Sequence, residues 1–492
     1  MSAYQTLEAR FARLDALEGA MGVLHWDAEV MMPSGSMPVR AEQLSELARL
    51  AHQQMTAPDM LELLTQAEEE TGLDPWQQAN LREMRHQYLH ANAVPETLVA
   101  ALSKATTTCE HVWREARKER DYPKFAAYFA EVLKLVQEAA AAKADAFGLS
   151  AYDALLDSYD PGMRIAIIQQ LFAPLEAQLP QMIQQAVDQR SADRPELLST
   201  SVPIETQTAL GLELMQALGF DFTRGRIDTS AHPFCGGVPG DIRLTTRYTE
   251  DDPFESLYAV LHETGHALYE SGLPEAWRQQ PVGKARGMSL HESQSLFIEM
   301  QLCRDASFIH YLAPKLRTHY GIQVSDEEIL TALHHVERSL IRVNADELTY
   351  PLHILLRTKL EQALLDGSLP IADLPTVWDD EMERLLGIRP DHVGNGCLQD
   401  THWPGGAIGY FPTYTVGAMI AAQLKQALAR DVPDWATQAA AGEFTGITGW
   451  LQTHVHAHGS RYTTPELVEA ATGAPLSPEP YLQHLRARYI AL

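Results

Sequence analysis

His262-Glu263-Thr264-Gly265-His266 sets two imidazoles four residues apart, with a carboxylate between them. On a helix four residues make about one turn, so both rings project from one face toward one point, a geometry suited to a tetrahedral divalent cation. Glu263 lies about 100° around the helix from His262, near enough to meet a water on such a cation but badly placed to be its third ligand. It is the candidate general base. Chance produces an H-E-x-x-H string in roughly one chain in twenty of this length, so two ordinary helix histidines are the competing explanation. The setting weighs against it. Asp251 to Gly272 carries helix punctuation: Asp252 as N-cap, Pro253 at the first helical position, Glu255 at the third, and Gly272 past the end. A strand-like segment precedes it, of the kind on which zinc peptidases hold an extended substrate.

A catalytic zinc takes a third protein ligand and keeps its fourth position open. Ser289-Leu290-His291-Glu292 opens a second helix, where Glu292 is either that ligand or the closing member of a capping box with Ser289. Glu292 leads and Glu299 follows. Glu270 shares the helix of the histidines but lies two faces away, and Glu275 falls in a loop. Zn2+ is the expected cation, and two imidazoles with a carboxylate also accept Co2+ or Mn2+. Such a cation lowers the pKa of its bound water toward about 7 and polarises the scissile carbonyl. Glu263 would take the proton and deliver it to the leaving amine.

These residues need a scaffold, and the chain supplies one. Its 492 residues, 45% apolar and 21% charged, match a folded globular protein of about three domains or one large two-lobed enzyme. Lys and Arg number 38 against 65 Asp and Glu, a net charge of −27 that repels phosphate backbones and anionic lipid. Neither nucleic acid nor membrane is an expected partner, and no stretch approaches the length of a spanning helix. Cys109, Cys235, Cys303 and Cys397 are far apart, which fits a reducing compartment. The N-terminal MSAYQTLEARFARLDALEG lacks the apolar run of a signal peptide, so a cytoplasmic location is expected.

From residue 3 to about 190 the sequence reads as successive amphipathic helices, punctuated at Met32 to Gly35 and Asp160 to Gly162. Ser191 to Pro203 is the linker candidate. Between Asp228 and Asp251 the period drops to two, predicting a hairpin or small sheet. Helices then resume, with loops near Gly272 to Gly287 and Gly387 to Gly409. The predicted class is mainly α, with a small β-sheet beside the active-site helix. A boundary is expected near residue 200.

Many separated strings resemble the carboxypeptidase Taq family of zinc metallocarboxypeptidases. They are His25-Trp26-Asp27, Tyr152 to Gly162, His232-Pro233-Phe234, Asp241 to Tyr248, the HETGH string, His291 to Ser295, Ile341 to Asp346, Gly396 to Trp403 and Gly409 to Tyr414. The resemblance implies His262, His266 and Glu292 as zinc ligands and Glu263 as general base. It also implies a two-lobed helical fold with a deep groove, a homodimer, and removal of residues from peptides with a free C-terminus; residues 1–200 would form one wall or lid of that groove and 201–492 the metallopeptidase core, as one continuous catalytic unit. Leu296 departs from it, standing where the family's string often continues with Arg. A dipeptidyl carboxypeptidase or oligoendopeptidase would keep the same zinc site, and a metal-stabilised peptide-binding protein without turnover is the reading of another class. Glu263 argues against the last, because a structural site needs no base.

Neutral donors would stabilise the oxyanion. His402, Tyr410 and Tyr414 are candidates by their similarity to the His and Tyr pattern of related helical zinc peptidases, with aromatic packing as the alternative. A free α-carboxylate calls for an arginine fork. Arg342 is the leading clamp, unless it is a solvated residue paired with Glu337 or Asp346 on its own helix. Arg243 is a second basic candidate on an alternating strand. Asp346, Asp241 or Asp400 could orient a zinc-bound imidazole through its second ring nitrogen. His232 either lines the groove or is buried, and Trp26 is either part of a lid or a core anchor.

Overall fold

The computed structural model describes residues 1–189, 197 and 201–490. The expected linker from Ser191 to Pro203 lies, apart from Leu197 and residues 201–203, outside them. Eight α-helices precede it: Ala3–Val30, Met37–Met55, Met60–Glu68, Pro75–Ala93, Glu96–Glu119, Tyr122–Phe147, Ala151–Leu156 and Ile165–Gln189. Local chemistry sets several of these starts. Asp74, for example, accepts from the amides of Trp76 and Gln77 while Pro75 takes the first helical position, where no N–H is needed. Tyr4, Leu7 and Phe11 close a small apolar core with Met60, Leu64 and Met84. The main core draws on residues from Cys109 to Tyr489, so apolar packing continues across position 200.

The predicted hairpin is part of a three-stranded sheet that begins three residues earlier than expected. Strands β1 (Gly225–Thr229), β2 (Phe234–Val238) and β3 (Asp241–Thr246) lie in the order β1-β3-β2. β2 and β3 form the hairpin, and β1 joins parallel to β3, a pairing between segments too far apart for a turn signal to announce. Ile242 and Leu244 pack with Val260 and Ala267 of the helix Pro253–Gly272, which places the sheet against the HETGH segment. The first helix crosses β2 at Gly19 and Gly22, where a Cβ on Gly22 would stand 3.1 Å from the Gly237 carbonyl oxygen. Beyond the crossing, Trp26 is buried, with the guanidinium carbons of Arg243 and Arg226 at 4.5 and 5.1 Å from its ring. It anchors the first helix to the sheet.

Glycine also fixes the crossing on which the site depends. A Cβ at Gly265 would lie 2.5 Å from the Gln294 carbonyl oxygen and 2.6 Å from Ser295 Cα, so only glycine lets the helix Pro253–Gly272 meet the helix Met288–Leu296 this closely. On the far side, Gly417 of the helix Pro412–Asp431 would place a Cβ 3.0 Å from that of Glu292. The backbone of Met288–Leu296 is thus held from two directions. Substituting Gly265→Ala is expected to destabilise the fold by about 1–3 kcal/mol and to weaken metal retention by separating the two helices. Thermal melting with metal analysis after dialysis checks it.

Arg342 does not lie on a helix. His334 to Thr349 is irregular apart from a 3-10 turn at Arg342–Asn344. The Asp346 carboxylate accepts from the amides of Glu337, Leu348 and Thr349, which offers the backbone an alternative to helical bonding. Among the described residues no helix is long and apolar enough to cross a membrane.

Candidate metal centre and active site

The helix Pro253–Gly272 starts as its sequence suggests, with the Asp252 side chain accepting from the Glu255 amide and Pro253 leading, although Gly272 is its last residue rather than the one beyond. His262 Nε2 and His266 Nε2 lie 3.7 and 3.4 Å from Glu292 Oε2. Bonds of about 2.0–2.2 Å at the tetrahedral angle place donor atoms roughly 3.3 Å apart, so these separations suit one divalent cation held by all three. Glu292 takes no part in a capping box: its helix starts at Met288 with Gly287 as N-cap, and the Met288 amide donates to the Tyr159 carbonyl at 2.7 Å. The Ser295 hydroxyl donates to Glu292 Oε2 at 3.1 Å.

The second nitrogen of each ring is fixed from behind. His262 Nδ1 sits 3.0 Å from Glu299 Oε2, and Glu299 Oε1 accepts from Arg304 at 2.8 Å. His266 Nδ1 faces His291 Nδ1 at 2.7 Å, and His291 Nε2 faces Glu270 Oε1 at 2.8 Å. One tautomer set satisfies this chain and leaves His266 Nε2 bare: His266 donates to His291, and His291 donates to Glu270. Asp346, Asp241 and Asp400, the sequence candidates for orienting an imidazole, are engaged elsewhere, by loop amides, by Arg243 and by two arginines. Glu299 does that work instead.

Glu299 sits in a π-helical turn, Phe297–Leu302, which directly continues the helix carrying Glu292. Its spacing of seven from Glu292 was a usable signal, but such a turn changes the phase that a period of 3.6 assumes. Replacing Glu299→Gln is expected to lower metal affinity about 10–100-fold, with hydrolysis restored by excess metal. Competition with a chelator and activity against added Zn2+ measure this.

Burial opposes charge on all of these groups, yet the carboxylates of Glu292, Glu299 and Glu263 carry His262 up to about 10. Burial, assisted by His291, holds His266 down to about 4, and the two imidazoles pull Glu292 down to about 2. A cation held by this group would therefore compete with a proton for His262. Glu263 differs. Burial, together with the charges of Glu292 and Glu299, pushes it up to about 7, and its Oε2 is buried with no hydrogen-bond partner among the described residues. An unpaired buried carboxylate oxygen beside three convergent donors fits a centre that receives a cation and a water.

A cavity of about 340 Å³ opens on this group, lined by His262, Glu292, Leu296, Glu299, Arg342, Tyr350 and Tyr414 among others. A larger cleft of about 640 Å³ lies elsewhere and shares with the centre only the outer residue Glu270. Arg342 is buried, with Nε donating to Asp400 at 2.9 Å and Nη1 to the Tyr350 hydroxyl at 2.8 Å. Its partner is thus Asp400, not Glu337 or Asp346. Arg357, fully buried, donates to the other oxygen of Asp400 at 2.6 Å. Two guanidiniums share one carboxylate, leaving the cluster a net positive charge.

His402 Nε2 lies 3.2 Å from the Tyr414 hydroxyl, and the Tyr410 ring packs against His402 and Tyr414 at 5.7 and 5.3 Å. Burial and the nearby arginines hold His402 down to about 4, so it is neutral at pH 7. Burial and the charge of Glu292 push Tyr410 up to about 12. The sequence reading missed Glu361, which accepts from Trp403 Nε1, the Gly409 amide and the Tyr152 hydroxyl at 3.0–3.1 Å. Trp403 and Gly409 flank His402 and Tyr410, so this one carboxylate pins both ends of their loop. Arg243 is placed differently, paired with Asp241 at 2.6 Å on β3, stacked on Trp26 and outside the cavity lining. His232 is exposed, which removes its reading as a buried histidine.

Comparison with known proteins agrees with this geometry. Residues 6–489 match the family described as Carboxypeptidase Taq (M32) metallopeptidase. The chain is 40% identical over 505 aligned positions to thermostable carboxypeptidase 1 of Thermus thermophilus, covering 100% of this chain and 99% of that protein. Among solved structures, Trypanosoma cruzi metallocarboxypeptidase 1 superposes with a TM-score of 0.97 at 37% identity over 99% of both chains. The M32 carboxypeptidase of Deinococcus radiodurans gives 0.94 at 35%, over 99% of this chain and 98% of that one.

Proposed function

As a member of the carboxypeptidase Taq (M32) metallopeptidase family this chain is a metallocarboxypeptidase, and we propose that His262, His266 and Glu292 hold its cation and that Glu263 is its general base. The cation is Zn2+ on this reading, with Co2+ or Mn2+ acceptable to the same donors. When bound, it supplies Lewis acidity, polarising the scissile carbonyl and easing ionisation of a water. Glu263 takes the proton from the attacking water on its unpaired Oε2 and passes it to the leaving amine. Tyr410, with neutral His402, donates hydrogen bonds to the oxyanion, and Tyr414 holds His402 in place while lining the substrate cavity.

The observation that carries the exopeptidase assignment is Arg342 on the wall of the cavity that also exposes His262 and Glu292. Asp400 and Tyr350 fix its Nε and Nη1, and the other terminal nitrogen makes no hydrogen bond among the described residues. A net positive cluster on the wall of the cavity that opens on the donors suits the α-carboxylate of a peptide's last residue. Arg243 has the lesser part on this reading, bracing the wall through Trp26. The described part of residues 1–200 forms one wall of the groove on this reading, as part of a single catalytic unit. Four free cysteines support a cytoplasmic location, and the family resemblance supports a homodimer.

Amidating the C-terminus of a good substrate peptide tests the assignment. Loss of a charge-assisted pair of about 2–5 kcal/mol should cut kcat/KM by about 30-fold to 5,000-fold. An amidated peptide cleaved at the rate of its free acid would contradict recognition through Arg342 and favour an internal cut.

A further inference from the structure

We propose that His86, His90 and Asp157 form a second site for a divalent transition cation such as Zn2+, built on elements outside the catalytic donor set. His86 and His90 stand one turn apart on the helix Pro75–Ala93, the same spacing as the catalytic pair. Both point Nε2 at one oxygen, Asp157 Oδ2, at 2.6 and 3.4 Å. The donor atoms all lie within 4.8 Å of one another, making a second group of two imidazoles and a carboxylate. The 3.4 Å separation already equals a tetrahedral edge, and His86 must withdraw by well under 1 Å from its hydrogen bond to admit a cation with bonds of about 2.0–2.2 Å.

The surroundings fix the donors. Asp157 is buried, and its other oxygen accepts from Arg164 at 2.8 Å and the Gly162 amide at 3.1 Å, which leaves Oδ2 to the imidazoles. The Phe147 ring packs on His90 and His86 at 4.3 and 5.6 Å, and the Ser158 hydroxyl lies 3.4 Å from His90 Nδ1. The histidine side chains keep 22% and 16% exposure, so a cation has an entry path and room for water as a further ligand. Lys143, bonded to Ser158 at 2.7 Å, and Arg164 add positive charge nearby, so this site is expected to bind more weakly than the catalytic one. A cation here would tie the helix Pro75–Ala93 to the turn carrying Tyr159, whose carbonyl receives the first amide of the helix bearing Glu292.

Equilibrium dialysis of the whole enzyme against Zn2+, with metal counted by atomic emission, tests the proposal. The wild type should take up two equivalents per chain. His86→Gln and His90→Gln should each take up one and hydrolyse peptide at the wild-type rate. One equivalent in the wild type, or two retained in both variants, would overturn it. Anomalous difference density above the zinc edge, from wild-type crystals grown with Zn2+, gives an answer that needs no variant. A peak among His86, His90 and Asp157 supports the site, and none there while the catalytic group is filled refutes it.

Discussion

Glu263→Gln is expected to bind its cation as the wild type does and to lose about two to four orders of magnitude in kcat, roughly 3–5 kcal/mol of barrier. The substitution keeps the shape of the side chain and removes only its capacity to accept a proton. Glu263 is 6% exposed, carries a buried oxygen with no hydrogen-bond partner among the described residues, and is not one of the three residues whose donor atoms converge. Metal content should therefore stay unchanged while turnover collapses. Burial and neighbouring carboxylates push its pKa up to about 7, which would leave it half protonated in neutral solution. An adjacent cation favours the charged form, the one that the proposed role as base requires. Metal analysis with single-turnover kinetics separates the two roles, and full activity in a metal-loaded variant would move the base elsewhere.

Glu292→Gln should fail in the opposite order, losing the metal first and activity as a consequence. An amide oxygen is a poor replacement for a carboxylate that two imidazoles hold at about 2. The loss should exceed the roughly 10–100-fold expected of an outer partner such as Glu299. The two substitutions are distinguishable by rescue: excess Zn2+ should restore Glu299→Gln and leave Glu292→Gln inactive. Gly265 and Gly417 pack the helix that carries Glu292 from two sides, so its backbone has little freedom to shift and compensate. Rescue of Glu292→Gln at modest Zn2+ would indicate that another group completes the donor set.

The centre was legible where its chemistry is local. One helical turn carries His262, Glu263 and His266, and the caps at Asp252 and Pro253 are written in the sequence and realised in the structure. Glu292 is a longer inference, because its distance from the histidines depends on a helix crossing that Gly265 permits and no periodicity reports. The outer partners were the least legible. Glu299, a second ligand candidate by its sequence position, meets the outer nitrogen of His262 from a π-helical turn, and Asp346, a candidate orienting carboxylate, binds loop amides instead. Arg342 was identified as a residue but not in its setting, since its partner Asp400 is 58 residues away and its expected helix is a loop. The mainly helical class followed from apolar spacing, whereas the parallel pairing of β1 with β3 joins segments between which β2 intervenes.

Mass spectrometry of a mixed peptide pool, incubated with the enzyme in the presence and absence of a chelator, tests the account most directly, because one experiment reports both the bond cut and the need for metal. The expected products are ladders shortened by single residues from the C-terminus, absent when the cation is removed and restored when Zn2+ is returned. Dipeptides or internal fragments as first products, or ladders that persist in chelator, would contradict it.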